Sequence, residues 1–210
     1  MALSDLFNRN LFLRVISSIV LAPLIIFVLT LGTTVISIVM LILVLLLWRE
    51  WEALVKNNEK LSYYIFGLIY ILLPVASVLY ISIRSCDEYY LPKIICLVWA
   101  SDIGAYLSGR LFGGPKINPK ISPNKTWSGY YGALVLTTVV GYCWGFDLSF
   151  AALISILAQL GDLLESVIKR KFHAENSGDL IPGHGGILDR FDSFVLVMIY
   201  IATLDFLYRF

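Results

Sequence analysis

Charge is scarce in this sequence. Only 15% of its 210 residues are Asp, Glu, Lys or Arg, while 59% are hydrophobic; a soluble domain carries about a quarter charged residues. From Val15 to Trp48 no charge occurs at all. Such a run exceeds one buried helix and suffices for two spans of about 17–20 residues, turned at Gly32-Thr33-Thr34. The weaker alternating segments of a transmembrane barrel are missing. The three cysteines, Cys86, Cys96 and Cys143, are odd in number and lack metal spacing, which argues against a disulfide framework or a zinc site. No basic tail is present and the net charge is +1, so nucleic acid is not an expected partner. An internal repeat is also lacking, and with it the signature of many transporters.

What remains is an all-α fold, a polytopic transmembrane helical bundle in contact with the lipid bilayer. Seven spans are expected, at 13–31, 33–48, 61–83, 91–109, 129–146, 148–166 and 194–209, the last of them short. Arg9 and Arg14 precede the first apolar run as in a signal peptide, but no small-residue cleavage site follows, so an uncleaved first span is expected. With the N-terminus in the cytoplasm, all but three of the 16 Lys and Arg residues (Arg84, Lys93 and Arg209) fall in inner segments, a strong positive-inside bias. Residues 1–90 then form N-terminal transmembrane helices. Residues 91–210 form a catalytic region whose polar loops, 110–128 and 167–193, face the cytoplasm. The segment Trp48-Arg49-Glu50-Trp51-Glu52 reads as an interfacial anchor, with aromatics at headgroup depth.

Three constellations carry chemistry. Asp102 lies within the fourth span, where a carboxylate must face a polar interior; the small residues Ser101, Ala105, Ser108 and Gly109 permit close helix packing around it. The loop from Gly113 to Trp127 combines Lys116, Lys120 and Lys125 with Ser122, Thr126 and stiffening prolines. That suits phosphate, although it is not a Walker loop, and a basic inner loop also suits lipid headgroups. Finally, Asp162, Glu165, Ser166 and Lys169 share one helical face that runs into Arg170. Beyond it, Pro182-Gly183-His184-Gly185-Gly186 forms a tight turn whose backbone N–H groups can approach an anion, followed by Asp189, Arg190 and Asp192. Carboxylates beside clustered Lys and Arg suggest a magnesium ion, Mg2+, and a polyphosphate; the plainer alternative is a surface ion-pair network.

The pattern S-x-x-K-R…P-G-H-G-G-x-x-D-R-x-D, from Ser166 to Asp192, resembles the signature of the phosphatidate cytidylyltransferases. The likeness extends through Gly161-Asp162-Leu163, Ser122-Pro-x-Lys125-Thr126-Trp127 and Ser101-Asp102-x-Gly104-Ala105-Tyr106, covering residues 97–193. Two positions depart from the family: Glu175-Asn176 stands for its Lys-Asp, and Ser128 for its Glu. The resemblance implies transfer of CMP from CTP to phosphatidic acid, giving CDP-diacylglycerol and pyrophosphate for phospholipid biosynthesis. It implies Asp102, Asp162, Asp189 and Asn176 around Mg2+, with room for a second, monovalent or divalent, cation. Lys169, Arg170, His184, Asp189 and Asp192 would carry catalysis. Ser122, Lys125, Thr126, Ser166, Gly183, Gly185, Gly186 and Arg190 would bind substrate. The setting implied is a bacterial inner membrane with the site facing the cytoplasm, and a homodimer is compatible with it. Related CTP-dependent enzymes acting on other lipid phosphates or lipid alcohols share this design. An impaired relative acting as a membrane scaffold is the reading that Glu175-Asn176 leaves open.

Overall fold

The computed structural model describes residues 21–56, 60–174, 176–178 and 185–208. They form an all-α bundle with one small hairpin. In chain order the helices are α1 (Leu21–Thr30), α2 (Thr33–Val55), α3 (Leu61–Arg84) and α4 (Tyr90–Phe112); strands β1 (Lys116–Asn118) and β2 (Ser122–Thr126) precede α5 (Trp127–Cys143), α6 (Leu148–Lys171) and α7 (Leu188–Tyr208). Each expected span overlaps one of these helices. Five of them (α2, α3, α4, α6 and α7) are long and apolar enough to cross a membrane, while α5 has 17 residues.

The outer face of the bundle is apolar. Ile38, Leu41 and Leu45 on α2 and Ile65, Leu68 and Ile69 on α3 are exposed, as expected where lipid rather than water is the solvent. Inside, one buried cluster joins Ile36 of α2, Val78 of α3, Ile94 and Leu97 of α4, Ile154 of α6 and Met198 of α7. A second cluster joins Trp51 of α2, Tyr70 and Ile71 of α3, Ile168 of α6, and Leu188 and Val195 of α7.

Three boundaries differ from the sequence expectation. The second span does not stop at Arg49: α2 continues to Val55 because Trp51 and Val55 are fully buried. The Trp51 indole lies against Gly67, where a Cβ would overlap it, and donates Nε1–H to the carbonyl of Tyr63 at 3.1 Å. Trp51 is therefore not available as an interfacial anchor, since it fills a core site beside Glu50, which is only 4% exposed. Trp48, by contrast, stays half-buried at the surface and donates Nε1–H to Glu52 at 2.7 Å. The last span is not short either. It starts at Leu188, so Asp189 lies in the first turn, where a carboxylate meets the positive end of the helix dipole, and Asp192 follows in the second. In the same way, α6 runs on to Lys171 with three cations in its last turn. The basic loop between α4 and α5, expected as stiff coil, is a hairpin pairing Lys116 with Thr126 and Asn118 with Ser122.

Local signals account for the starts of α5 and α6. Thr126 caps α5 by accepting from the Gly129 N–H at 3.2 Å. Asp147 caps α6 by accepting from the Ser149 N–H at 2.8 Å. Ser149 and the backbone N–H groups hold the Asp147 carboxyl below its ordinary pKa, with the Ser149 side chain the largest cause.

Helices α4 and α5 approach closely through glycine, as the small residues around Asp102 suggest. A Cβ on Gly104 would stand 2.6 Å from the Gly132 carbonyl oxygen. The obstacle is backbone and cannot rotate away. Gly104→Ala is accordingly expected to destabilise the bundle by about 1–3 kcal/mol, read as a lowered thermal unfolding midpoint in detergent.

Candidate active site

Helices α6 and α7 meet at Gly161, where a Cβ would run into the Asp192 carbonyl oxygen. This close contact decides the geometry of the site. Next to Gly161 on α6, Asp162 and, one turn on, Glu165 face α7, and Asp192 faces back. One carboxylate oxygen from each of Asp162, Glu165 and Asp192 lies within 4.8 Å of the others. Glu165 is fully buried and Asp192 nearly so.

Three carboxylates held this close repel one another, and cations offset part of that. Lys125, arriving on β2, places Nζ 2.7 Å from Asp162 Oδ2. Lys169, one turn beyond Glu165, lies 2.6 Å from Glu165 Oε2 and 2.8 Å from Asp189 Oδ1. Asp189 is held from its other side by backbone: its Oδ2 accepts from the Gly186 N–H at 2.9 Å and from the Ser177 N–H at 3.1 Å. Gly185, at φ +81°, passes so close that a Cβ would be 2.7 Å from Asp189 Oδ2, so both its conformation and its contact favour glycine.

The fourth helix reaches the same place. Ser193 donates its N–H to Asp192 Oδ1 at 2.7 Å, and its hydroxyl stands 3.5 Å from Asp102 Oδ1. The hairpin is tied to the end of α6 by Arg170, whose Nε donates to the Ile121 carbonyl at 3.2 Å. Ser166 bonds back to the Asp162 carbonyl at 2.9 Å. Thr126 is buried as the α5 cap, within 3.0 Å of the Ser128 hydroxyl, which in turn donates to the Gly113 carbonyl. Ser122 is half-buried on β2, and Asn176 and Arg190 are exposed. Gly183 and His184 lie outside the described residues.

The structure thus brings Asp102, Lys125, Asp162, Glu165, Lys169, Asp189 and Asp192 to one end of the bundle. Two residues have a larger part here than the sequence suggests, one within this group and one beside it. Glu165 was on the right helical face but outside the expected metal set; its spacing from Asp162 was the available signal. Glu50 of α2 accepts the Ile187 N–H at 2.9 Å and the Leu188 N–H at 2.8 Å at the start of α7. The sequence places it among the charges Arg49 and Glu52 at the end of an apolar run, with nothing to distinguish it from them.

The donor set suits a divalent cation. Both oxygens of the buried Glu165 lack a hydrogen-bond donor, Lys169 approaching Oε2 as an ion pair. A hard cation such as Mg2+ takes oxygen ligands at about 2.0–2.1 Å, and the Asp162, Glu165 and Asp192 carboxylates are the group placed to offer them, once drawn closer than their present separations of up to 4.8 Å. Asp189 engages Lys169 and the turn instead.

The cytidylyltransferase family model matches residues 55–207. Among curated relatives, the phosphatidate cytidylyltransferase of Rickettsia bellii is 33% identical, the match covering 96% of this chain and 93% of the relative. That of Bacillus subtilis is 38% identical over 76% of this chain and 64% of its own length. That of Brucella suis is 46% identical over 49% of this chain and 41% of its own length.

Lys169 is the electrostatic centre of the site. Lys169→Ala leaves Glu165 and Asp189 facing each other without their shared cation. Removing one partner of a buried pair costs about 3–5 kcal/mol. A loss of that size is expected in denaturation of the purified protein, with part regained in Lys169→Ala/Glu165→Gln.

Proposed function

The chain belongs to the cytidylyltransferase family, and from that premise we infer that it transfers CMP from CTP to phosphatidic acid, forming CDP-diacylglycerol and pyrophosphate. The observation that carries the chemistry is the meeting of the Asp162, Glu165 and Asp192 carboxylates with the Lys125 and Lys169 ammonium groups at one end of a membrane bundle.

A phosphate oxygen of phosphatidic acid attacks the α-phosphorus of CTP; a new P–O bond forms as the bond to the β-phosphate bridging oxygen breaks, and pyrophosphate leaves with that electron pair. The attacking oxygen is already ionised near neutral pH, so no strong base is required. Catalysis then rests on positioning two polyanions and balancing their charge. Lys125 and Lys169 exchange carboxylate contacts for phosphate oxygens when substrate arrives. Arg170 fixes the hairpin that carries Ser122 and Lys125, and Arg190 adds positive charge at the mouth. Asp162, Glu165 and Asp192 would hold Mg2+, which when bound supplies charge neutralisation for the triphosphate. Asp102, joined to the triad through Ser193, would take part through water or a second cation, and Asn176 offers a carbonyl oxygen from the loop. Asp189 holds Lys169 in place.

We read the bundle as seven spans with a cytoplasmic N-terminus in a bacterial inner membrane. The distribution of Lys and Arg supports this. The site then faces the cytoplasm, where CTP and Mg2+ are available, and the acyl chains of phosphatidic acid enter from the inner leaflet.

Protein purified in detergent is expected to convert phosphatidic acid and CTP to CDP-diacylglycerol and pyrophosphate with Mg2+, and Asp189→Asn to abolish turnover. In Asp192→Asn the Mg2+ concentration for half-maximal rate should rise by about 10-fold or more. Release of CDP in place of pyrophosphate would identify a kinase and end this reading.

The topology has its own test. Cys86 and Cys143 are exposed; Cys86 lies just beyond the end of α3 and Cys143 is the last residue of α5, both at ends that face away from the site. In spheroplasts a membrane-impermeant maleimide should label both from outside, and failure to label either until the membrane is opened would reverse the orientation.

A further inference from the structure

Glu50 belongs to none of the motifs of the site and precedes the first residue matched by the family model, which begins at residue 55. It is nonetheless buried at 4% exposure, in a helix whose other buried residues are mostly apolar. Burying a carboxylate without compensation costs several kcal/mol, and the compensation here is specific. Glu50 Oε1 accepts the Ile187 N–H at 2.9 Å, and Oε2 accepts the Leu188 N–H at 2.8 Å. The preceding amide, that of Gly186, donates to Asp189 Oδ2 at 2.9 Å. Three consecutive N–H groups at the positive end of α7 are thus shared between two carboxylates, one from α2 and one from the site itself.

The loop is shaped around this contact. A Cβ on Gly178 would stand 2.8 Å from Glu50 Oε1, and one on Gly186 would stand 2.6 Å from Oε2. Both sides of the carboxylate are walled by backbone that only glycine lets so close. Because Asp189 takes Lys169 and Lys169 takes Glu165, a shift of the 186–188 segment is passed to the phosphate-binding lysine and the acidic triad.

We propose that Glu50 is a positioning residue for cytidylyl transfer: from α2 it clamps the first turn of α7 and so fixes the Asp189–Lys169 pair in register with the Asp162, Glu165 and Asp192 cluster. It touches no substrate. Its charge matters as well as its shape, since a glutamine of the same size would present an NH2 donor to one of two backbone donors. The proposal rests on the cytidylyl-transfer reading for its kinetic consequence, while the clamp itself is a statement about backbone protection.

The experiment compares the full-length wild type with Glu50→Gln, Glu50→Asp and Gly178→Ala in detergent. It measures hydrogen exchange of peptides spanning 185–192 and steady-state kinetics per folded molecule, with the folded fraction taken from thermal unfolding. In Glu50→Gln, exchange across 185–192 should rise on the order of 10-fold, the size of a lost charge-assisted hydrogen bond. Its kcat and kcat/KM should fall together on the order of 10- to 100-fold. Glu50→Asp keeps the charge on a shorter stem and should fall between, and Gly178→Ala should follow Glu50→Gln. Glu50→Gln with wild-type turnover per folded molecule overturns the proposal, whether or not its folded fraction is lower. Should Glu50→Gln not fold, wild-type kcat and exchange in Glu50→Asp and Gly178→Ala do the same. A wild type that makes no CDP-diacylglycerol removes the reaction and this role with it; an active wild type with unimpaired variants removes the role alone.

Discussion

Everything at the cytidylyltransferase site depends on Lys169 standing between Glu165 and Asp189. A carboxylate between membrane helices is tolerated only when positive charge or hydrogen-bond donors answer it. Lys169 answers two at once, at 2.6 and 2.8 Å. It does so from the last turn of α6, where the helix dipole itself favours a cation. Asp189 sits in the first turn of α7, where the dipole favours an anion. The two helix ends that meet at the site are therefore oppositely polarised, and the ion pair joins them in the sense that both dipoles support. Lys125 and Lys169 offset only part of the charge of the five carboxylates gathered here, so the acidic triad keeps an excess of negative charge that a bound cation would answer.

That arrangement has a use in phosphoryl chemistry. A site that must accept two polyanions and an oxygen-seeking cation cannot be built from one sign of charge. Lysines alone would hold triphosphate too firmly for release, and carboxylates alone would exclude it. Paired lysines and carboxylates are satisfied before substrate arrives, and in the proposed reaction phosphate oxygens would replace carboxylate oxygens around Lys125 and Lys169. The reorganisation is small because the groups are preplaced on α6, α7 and β2.

Much of this was legible in the sequence, and for identifiable reasons. Membrane character follows from composition, and the polar face from Asp162 to Lys169 follows from helical spacing, since both are local. The pattern from Ser166 to Asp192 carried the family likeness, extended upstream by the motifs around Asp162, Lys125 and Asp102. Features set by contacts distant in sequence were not legible. The second span was ended at Arg49 because charge stops a hydropathy window, yet backbone hydrogen bonds continue regardless, and Trp51 has a glycine at position 67 to pack against. The start of α7 was placed too late for the same reason: its first turn holds charges that a window counts as loop, while the helix dipole welcomes them. The hairpin at 116–126 was hidden by prolines that read as stiff coil.

The position of Glu50 shows why the apolar N-terminal helices are more than an anchor. Glycine gives close backbone approach at the expense of rigidity, and Gly185 and Gly186 stand where the chain enters α7. Stiffness there must come from outside. Within α7 the first N–H groups have no helical acceptor, so an external carboxylate is the natural stiffener, and Asp189 alone is occupied by Gly186, Ser177 and Lys169. A second acceptor must arrive from a neighbouring helix whose own placement is secure. Helix α2 meets that condition, because the Trp51 indole beside Glu50 is locked against Gly67 and ringed by Phe66, Tyr70 and Phe172. The aromatic packing of a segment without catalytic groups thereby becomes a determinant of where Lys169 points.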